Sequence, residues 1–210
     1  PSDASSWLIP GMVLLGAYPS GKARRKGTQP KEDIRGSSAQ IMLAGVGTFV
    51  CLMTDDEADD FEASQKLEHY RRRIRREHEN VVGALKGSIV KFEMALYMCQ
   101  TEMRTVPRFP KTDLRHEAGE RAFAELRARE RMAMSAVEKA KRALHAFPHR
   151  VQVLTFPVVD GLAPEPAPFG ELLENLEMRL RARERLYVFS RVGHGRPSVV
   201  GACLLGRLYG

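Results

Sequence analysis

Apolar positions along the chain follow two different periods. Short uninterrupted apolar runs alternate with long stretches in which apolar residues return every three or four positions, so strands and helices are expected to alternate. In the first run, Trp7 to Pro19, a Pro10-Gly11 turn feeds a short apolar strand through Met12-Val13-Leu14-Leu15 that ends at Gly16 and Pro19. A polar, basic stretch from Ser20 to Ser37 reads as a loop, and Ala39 to Ala44 as a short helix ending at Gly45. Gly47 to Met53 is β-branched and apolar, a buried strand. Thr54, three positions before Glu57, then predicts a capping box that opens a helix.

From about Asp56 to Thr105 apolar residues recur at Ile74, Val81, Val82, Leu85, Ile89, Phe92, Leu96 and Cys99 with no proline, which predicts one long helix ended by Pro107 and Pro110. A second helix is expected from about His116 to Phe147, with Phe123, Leu126, Val137, Ala140 and Leu144 near one face, and the two form an antiparallel hairpin. Strand character returns at Val151 to Pro157, followed by a loop from Val158 to Pro166 and a helix from Phe169 to about Arg183 with Leu172, Leu173, Leu176 and Leu180 on one side. Arg185 to Phe189 is a short strand that runs into Ser190-Arg191-Val192-Gly193-His194-Gly195-Arg196 and an apolar helix from Pro197. Strands alternating with helices predict an α/β domain with a mostly parallel central sheet flanked by helices.

Charge changes this picture only in suggesting partners. The 210 residues carry a net charge of +7, with basic clusters at Lys22 to Lys26, Arg71 to Arg76 and Arg179 to Arg185. That balance favours anionic partners: a phosphorylated ligand, RNA or an acidic protein surface. Cys51, Cys99 and Cys203 are odd in number and far apart, which suggests neither a disulfide framework nor a zinc site. An intracellular, reducing compartment is expected, cytoplasmic or organellar (mitochondrial). No run reaches the length of a membrane span, and no membrane, metal or cofactor is expected.

The chemistry gathers where the last strand meets the last helix. A strand, a Gly-containing loop and a helix N-terminus make an anion site because loop N–H groups and the helix dipole point to one place. Gly193 and Gly195 supply permissive backbone, and Arg196 can grip a phosphate bidentately. Leu186 to Gly206 resembles the signature of cysteine-dependent protein phosphatases, in which His-Cys-x5-Arg-(Ser/Thr) follows a strand and opens a helix. Pro10 to Pro19, Ala44 to Leu52 and Phe156 to Gly161 match, in order, further elements of compact dual-specificity phosphatases. The resemblance implies a phosphatase-like α/β domain over residues 1–55 and 148–210, with 56–147 an inserted basic helical hairpin. It also implies that Asp160 occupies the general-acid position and that Arg191, Val192, Gly193, His194, Gly195 and Arg196 form the phosphate-binding loop.

Departures from the pattern decide the functional expectation. Ser190 stands at the cysteine position, Phe189 at the preceding histidine and Pro197 at the hydroxyl position after the arginine. Loop amides and a helix N-terminus can make a thiol largely thiolate at neutral pH, whereas a serine hydroxyl starts several pKa units higher and needs a base. An engineered cysteine-to-serine trap would explain Ser190 alone, but not Phe189 or Pro197. His194 as a base for Ser190 is set against an exposed loop histidine, which the outward-facing side chains of such loops favour. The expectation is a pseudophosphatase, not an enzyme, serving as a structural or scaffolding subunit of a protein or ribonucleoprotein assembly such as an organellar ribosome. The alternatives are a phosphoprotein-binding module, in which Phe189 and Val192 must leave the anion site open and Arg196 must not turn away to pair with an acidic side chain, and a residual phosphatase.

Overall fold

A computed structural model describes residues 5–19, 37–59, 66–107, 110 and 115–210. The loop expected from Ser20 and its basic cluster at Lys22 to Lys26 lie outside the described residues. In chain order the elements are β1 (Ser5–Ile9), β2 (Val13–Ala17), α1 (Ser37–Leu43), β3 (Thr48–Cys51), α2 (Asp55–Asp59), α3 (Lys66–Thr105), α4 (His116–Ala146), β4 (Gln152–Thr155), α5 (Pro166–Arg181), β5 (Leu186–Ser190) and α6 (Gly195–Tyr209).

The strands form one mixed sheet in the order β1-β2-β5-β3-β4. β1 runs antiparallel to β2, while β2, β5, β3 and β4 are parallel, so the α/β class with a mostly parallel sheet is what the chain builds. β1 was not anticipated. Its Ser5-Ser6 start lacks an apolar signature, and pairing with β2 across the Pro10-Gly11 turn creates it, with Gly11 at φ +71° and Met12 N–H bonded to Ile9 C=O at 2.9 Å. Of the helix expected from Asp56 to Thr105, the described residues form α2 and α3, and residues 60–65 between them lie outside the described residues.

The sheet's two faces are built differently because side chains alternate along each strand. Val13, Val50, Leu52, Leu186 and Val188 pack with Leu172, Leu173, Leu176 and Leu180 of α5 and Val200 and Leu204 of α6. On the other face Phe49, Tyr187 and Phe189 are fully buried. Phe189 lies 5.5 Å from Tyr187, 5.4 Å from Tyr70 and 6.0 Å from Tyr18, ring centre to ring centre.

The chain divides into two compact units, Pro1–Glu79 with Phe147–Gly210, and Asn80–Ala146. The boundary expected at 55/56 falls short of this one, because Tyr70 and Ile74 of α3 are buried and Tyr70 stacks on the aromatic face. His78 and Phe147 also stack at 5.2 Å, and His78 Nε2 lies 2.7 Å from Pro148 C=O, so the two points at which the chain leaves and re-enters this unit are tied together. Within the second unit, α3 and α4 run antiparallel, linked by Lys141–Glu93 at 2.9 Å, Arg129–Glu102 at 3.1 Å and Gln100–Glu130 at 3.1 Å. Among its described residues, Cys99, Leu126, Val137 and Ala140 are the buried positions. The exposed ion pairs orient the helices more than they stabilise them.

Candidate functional site

Ser190 ends β5 and, with Ala17 beside it on β2, stands at the carboxyl edge of the parallel strands, where α/β sheets place ligands. The residue is 2 % exposed. The chain then turns sharply at Gly193, whose φ of +87° favours glycine and whose position allows nothing else. A Cβ there would lie 2.3 Å from Ala17 N and 2.4 Å from Gly16 C. The loop is thus folded onto the end of β2, and Gly193 N–H donates to Ser190 Oγ at 3.2 Å. Gly195 has no such requirement, since it is the first residue of α6 and a Cβ on it would meet nothing. Of the two glycines read as permissive, only Gly193 is sterically obligatory.

Phe189 and Val192, which could have filled the loop, do not. Phe189 points to the opposite face of the sheet, as strand alternation requires for the neighbour of Ser190, and Val192 is exposed. His194 is exposed as well; it occupies the N-cap of α6 without a side-chain cap bond, and its C=O accepts from Ser198 Oγ. Arg191 is half-buried.

Arg196 is the most constrained side chain of the site. Its Nη1 donates to Glu57 Oε2 at 2.5 Å, to Val158 C=O at 2.9 Å and to Leu52 C=O at 3.3 Å, and Nη2 donates to Glu57 Oε1 at 2.7 Å. One guanidinium therefore ties together α2, the end of β3, the segment after β4 and the start of α6. Glu57 was expected only as a helix cap. It does serve there, accepting from Thr54 N–H at 3.0 Å, yet it is also the half-buried partner of Arg196. The hydrogen bonds from Arg196 hold the Glu57 carboxyl below its ordinary value, against the opposing effect of burial, and Thr54 N–H adds to them. Nothing in the sequence joins these two residues, which are 139 positions apart.

A guanidinium has five N–H groups, and Glu57 takes the end formed by Nη1 and Nη2. The side edge, Nε with the second Nη2 proton, is left. Asp160 Oδ1 lies 3.3 Å from Nε, but Nε has no hydrogen-bond acceptor, and the Asp160 side chain is 80 % exposed. Asp160 and Arg196 line a cavity of about 370 Å³ together with Leu162, Pro164, Phe169, Val199 and Val200.

Cys51 sits opposite Phe189 in the sheet, and burial pushes its thiol up to about 12, so it is uncharged at neutral pH. Among the described residues no group of three His, Cys, Asp or Glu could hold a metal ion, and no helix is long and apolar enough to cross a membrane.

No protein-family model matches the chain, and no curated protein does. Among solved structures the chain is similar to a kinase associated phosphatase whose catalytic-site cysteine was substituted by serine. The match has 13% sequence identity and a TM-score of 0.47, and covers 98% of this chain and 72% of that one. What the chain has of its own is a five-stranded α/β sheet, a loop folded at the carboxyl end of its central strand, and a buried arginine at the start of the following helix.

Proposed function

We propose that this chain is a phosphatase-like domain without hydrolytic activity that acts through binding, as a scaffolding subunit of a larger assembly. The observation that carries it is the setting of Ser190. Among the described residues, the one hydrogen bond to Ser190 Oγ comes from Gly193 N–H, so the hydroxyl has a donor beside it and no base to take its proton. The exposed Arg72, Arg75 and Arg76 of the Arg71 to Arg76 cluster and the helical unit supply surface for partners, RNA among them. The test is turnover of an aryl phosphate by the purified chain. No hydrolysis is expected, and little from Ser190→Cys, because Phe189 and Pro197 also depart from the phosphatase pattern. Hydrolysis by the native chain that disappears on Ser190→Ala overturns the reading. Sedimentation of the native protein from its source is expected to place it in a large complex; a free monomer there removes the scaffold role.

A second reading, retained binding of a phosphate group, has against it the pairing of Arg196 with the acidic Glu57, and rests on the side edge of Arg196 that this pair leaves. Two N–H groups on one edge match two oxygens of a phosphoryl group, and Asp160, being exposed, can swing away to admit them. Titration with inorganic phosphate, followed by thermal shift, is expected to stabilise the native chain, and Asp160→Asn to bind more tightly because a competing carboxylate is gone. No stabilisation in either protein ends this second reading and leaves the first.

A further inference from the structure

The cavity that Arg196 and Asp160 line with Leu162, Phe169 and Val199 measures about 370 Å³, near the small end of the range of ligand pockets. Leu162 and Val199 are 64% and 46% exposed, so its apolar lining reaches the surface. Its one charged and buried lining residue is Arg196, whose side chain is 6% exposed. Glu57, Val158 C=O and Leu52 C=O take up Nη1 and Nη2. Nε–H is left, buried and, among the described residues, without an acceptor. Asp160 Oδ1 stands 3.3 Å from Nε without accepting from it, and because Asp160 also lines the cavity, this is the edge of the guanidinium beside it. A buried donor of this kind needs an acceptor supplied from elsewhere.

Charge decides what sort of acceptor fits. Glu57 already matches the charge of Arg196, and Asp160 adds a second carboxylate, so one positive group faces two negative ones. An anion would enter against that balance and give up its water to apolar walls. A neutral carbonyl supplies the acceptor without either cost. Asp160, 80% exposed, can turn aside to uncover Nε and then offers an acceptor next to this donor. In extended backbone the N–H and C=O of one residue point the same way, which matches a donor and an acceptor side by side. We infer that the cavity takes one extended, uncharged residue of a partner polypeptide, its apolar side chain against Leu162, Phe169 and Val199, its C=O accepting from Arg196 Nε–H and its N–H donating to Asp160. This rests on the reading of the chain as a binding domain and gives that reading a contact. Peptide and phosphate compete for the same N–H.

The test is the proton–nitrogen spectrum of the nitrogen-15-labelled full chain, in which Arg196 Nε–H has its own resonance. N-acetyl-leucine N-methylamide, a neutral probe, is expected to move that resonance saturably with Kd of order 1 mM, ordinary for so small a ligand. Kd should be the same at about 0.05 and 0.5 M salt, because no ion is bound. N-acetyl-glycine N-methylamide, which lacks the apolar side chain, and isovalerate, which is charged, should each bind at least about tenfold more weakly. Val199→Glu should raise the Kd of the leucine probe about tenfold or more, with the backbone amide spectrum kept because Val199 is 46% exposed. Any one of four results overturns the inference: an Nε–H resonance unmoved by about 20 mM of the leucine probe, equal binding of the glycine probe, equal binding of isovalerate, or indifference to Val199→Glu. A resonance moved by inorganic phosphate and not by the leucine probe overturns it in favour of the phosphate reading. Aryl phosphate turnover is measured separately, so failure here leaves the absence of hydrolysis standing.

Discussion

Replacing Glu57 with alanine is expected to destabilise the sheet unit by about 3 kcal/mol, although Glu57 lies outside every strand. The estimate follows from the geometry of Arg196. Its side chain is 6% exposed and that of Glu57 17%, with two parallel contacts at 2.5 and 2.7 Å. Two unit charges about 4 Å apart attract by roughly 4 kcal/mol at an effective dielectric of 20. Removing one member of a fully buried pair costs about 3–5 kcal/mol because the other charge stays behind uncompensated, and here the charge left behind, Arg196, is the buried one. Val158 C=O, Leu52 C=O and Asp160 still face Arg196 in the variant, which places the loss at the lower end. Urea denaturation of the native chain, Glu57→Ala, Arg196→Ala and the double variant closes a cycle, with an expected coupling of about 2–3 kcal/mol. The pH dependence has a definite sign. The folded-state pKa of Glu57 is lowered from 4.5, so its contribution is complete above that value and is lost as pH falls through the lower folded value. The stability difference between native chain and Glu57→Gln should be constant near neutrality and shrink in acid. A coupling near zero, or a difference independent of pH down to unfolding, would refute the view that this pair holds the site together.

Gly193→Ala is expected to lower the thermal midpoint sharply, by at least about 2 kcal/mol in stability, since the new methyl would overlap the backbone of Gly16 and Ala17; an unchanged midpoint would contradict the loop geometry. Phe189→Ala should cost about 3–5 kcal/mol by emptying the aromatic cluster, measured by urea unfolding, whereas Val192→Ala, on an exposed side chain, should be nearly neutral. Deleting Asn80–Ala146 and joining Glu79 to Phe147 through a few glycines should leave the sheet unit cooperatively folded in calorimetry, because the His78 pair with Phe147 and Pro148 already holds the ends together. Deleting residues 56–147 instead should abolish folding, since that cut removes Glu57, Tyr70 and Ile74.

What was legible in the sequence was what neighbouring residues decide. The capping box at Thr54 and Glu57, α1 ended at Gly45 with φ +88°, α5 with its leucines and the passage from β5 through the loop into α6 all have local signals, and all are present. What was missed depends on distant partners. β1 exists because β2 pairs with it. The Glu57–Arg196 tie joins segments 139 residues apart, so each residue carried only its local role in the sequence. The direction of Phe189 could have been read from strand alternation, because consecutive residues on β5 cannot both face the loop.

The strand order carries a consequence for how the chain comes into being. β5 is the middle strand of the sheet, yet it is the last strand in the chain, paired on one side with β2 and on the other with β3. During synthesis the β1–β2 hairpin, the β3–β4 pair and the helical hairpin can each form from what has already emerged, but the two halves of the sheet have no connection until residues 186–190 arrive. Until then β2 and β3 each present an open edge to any passing strand. Closure must therefore be late and must bridge sequence separations above one hundred residues, which makes it the slow step of folding and the interval of greatest exposure to misassembly.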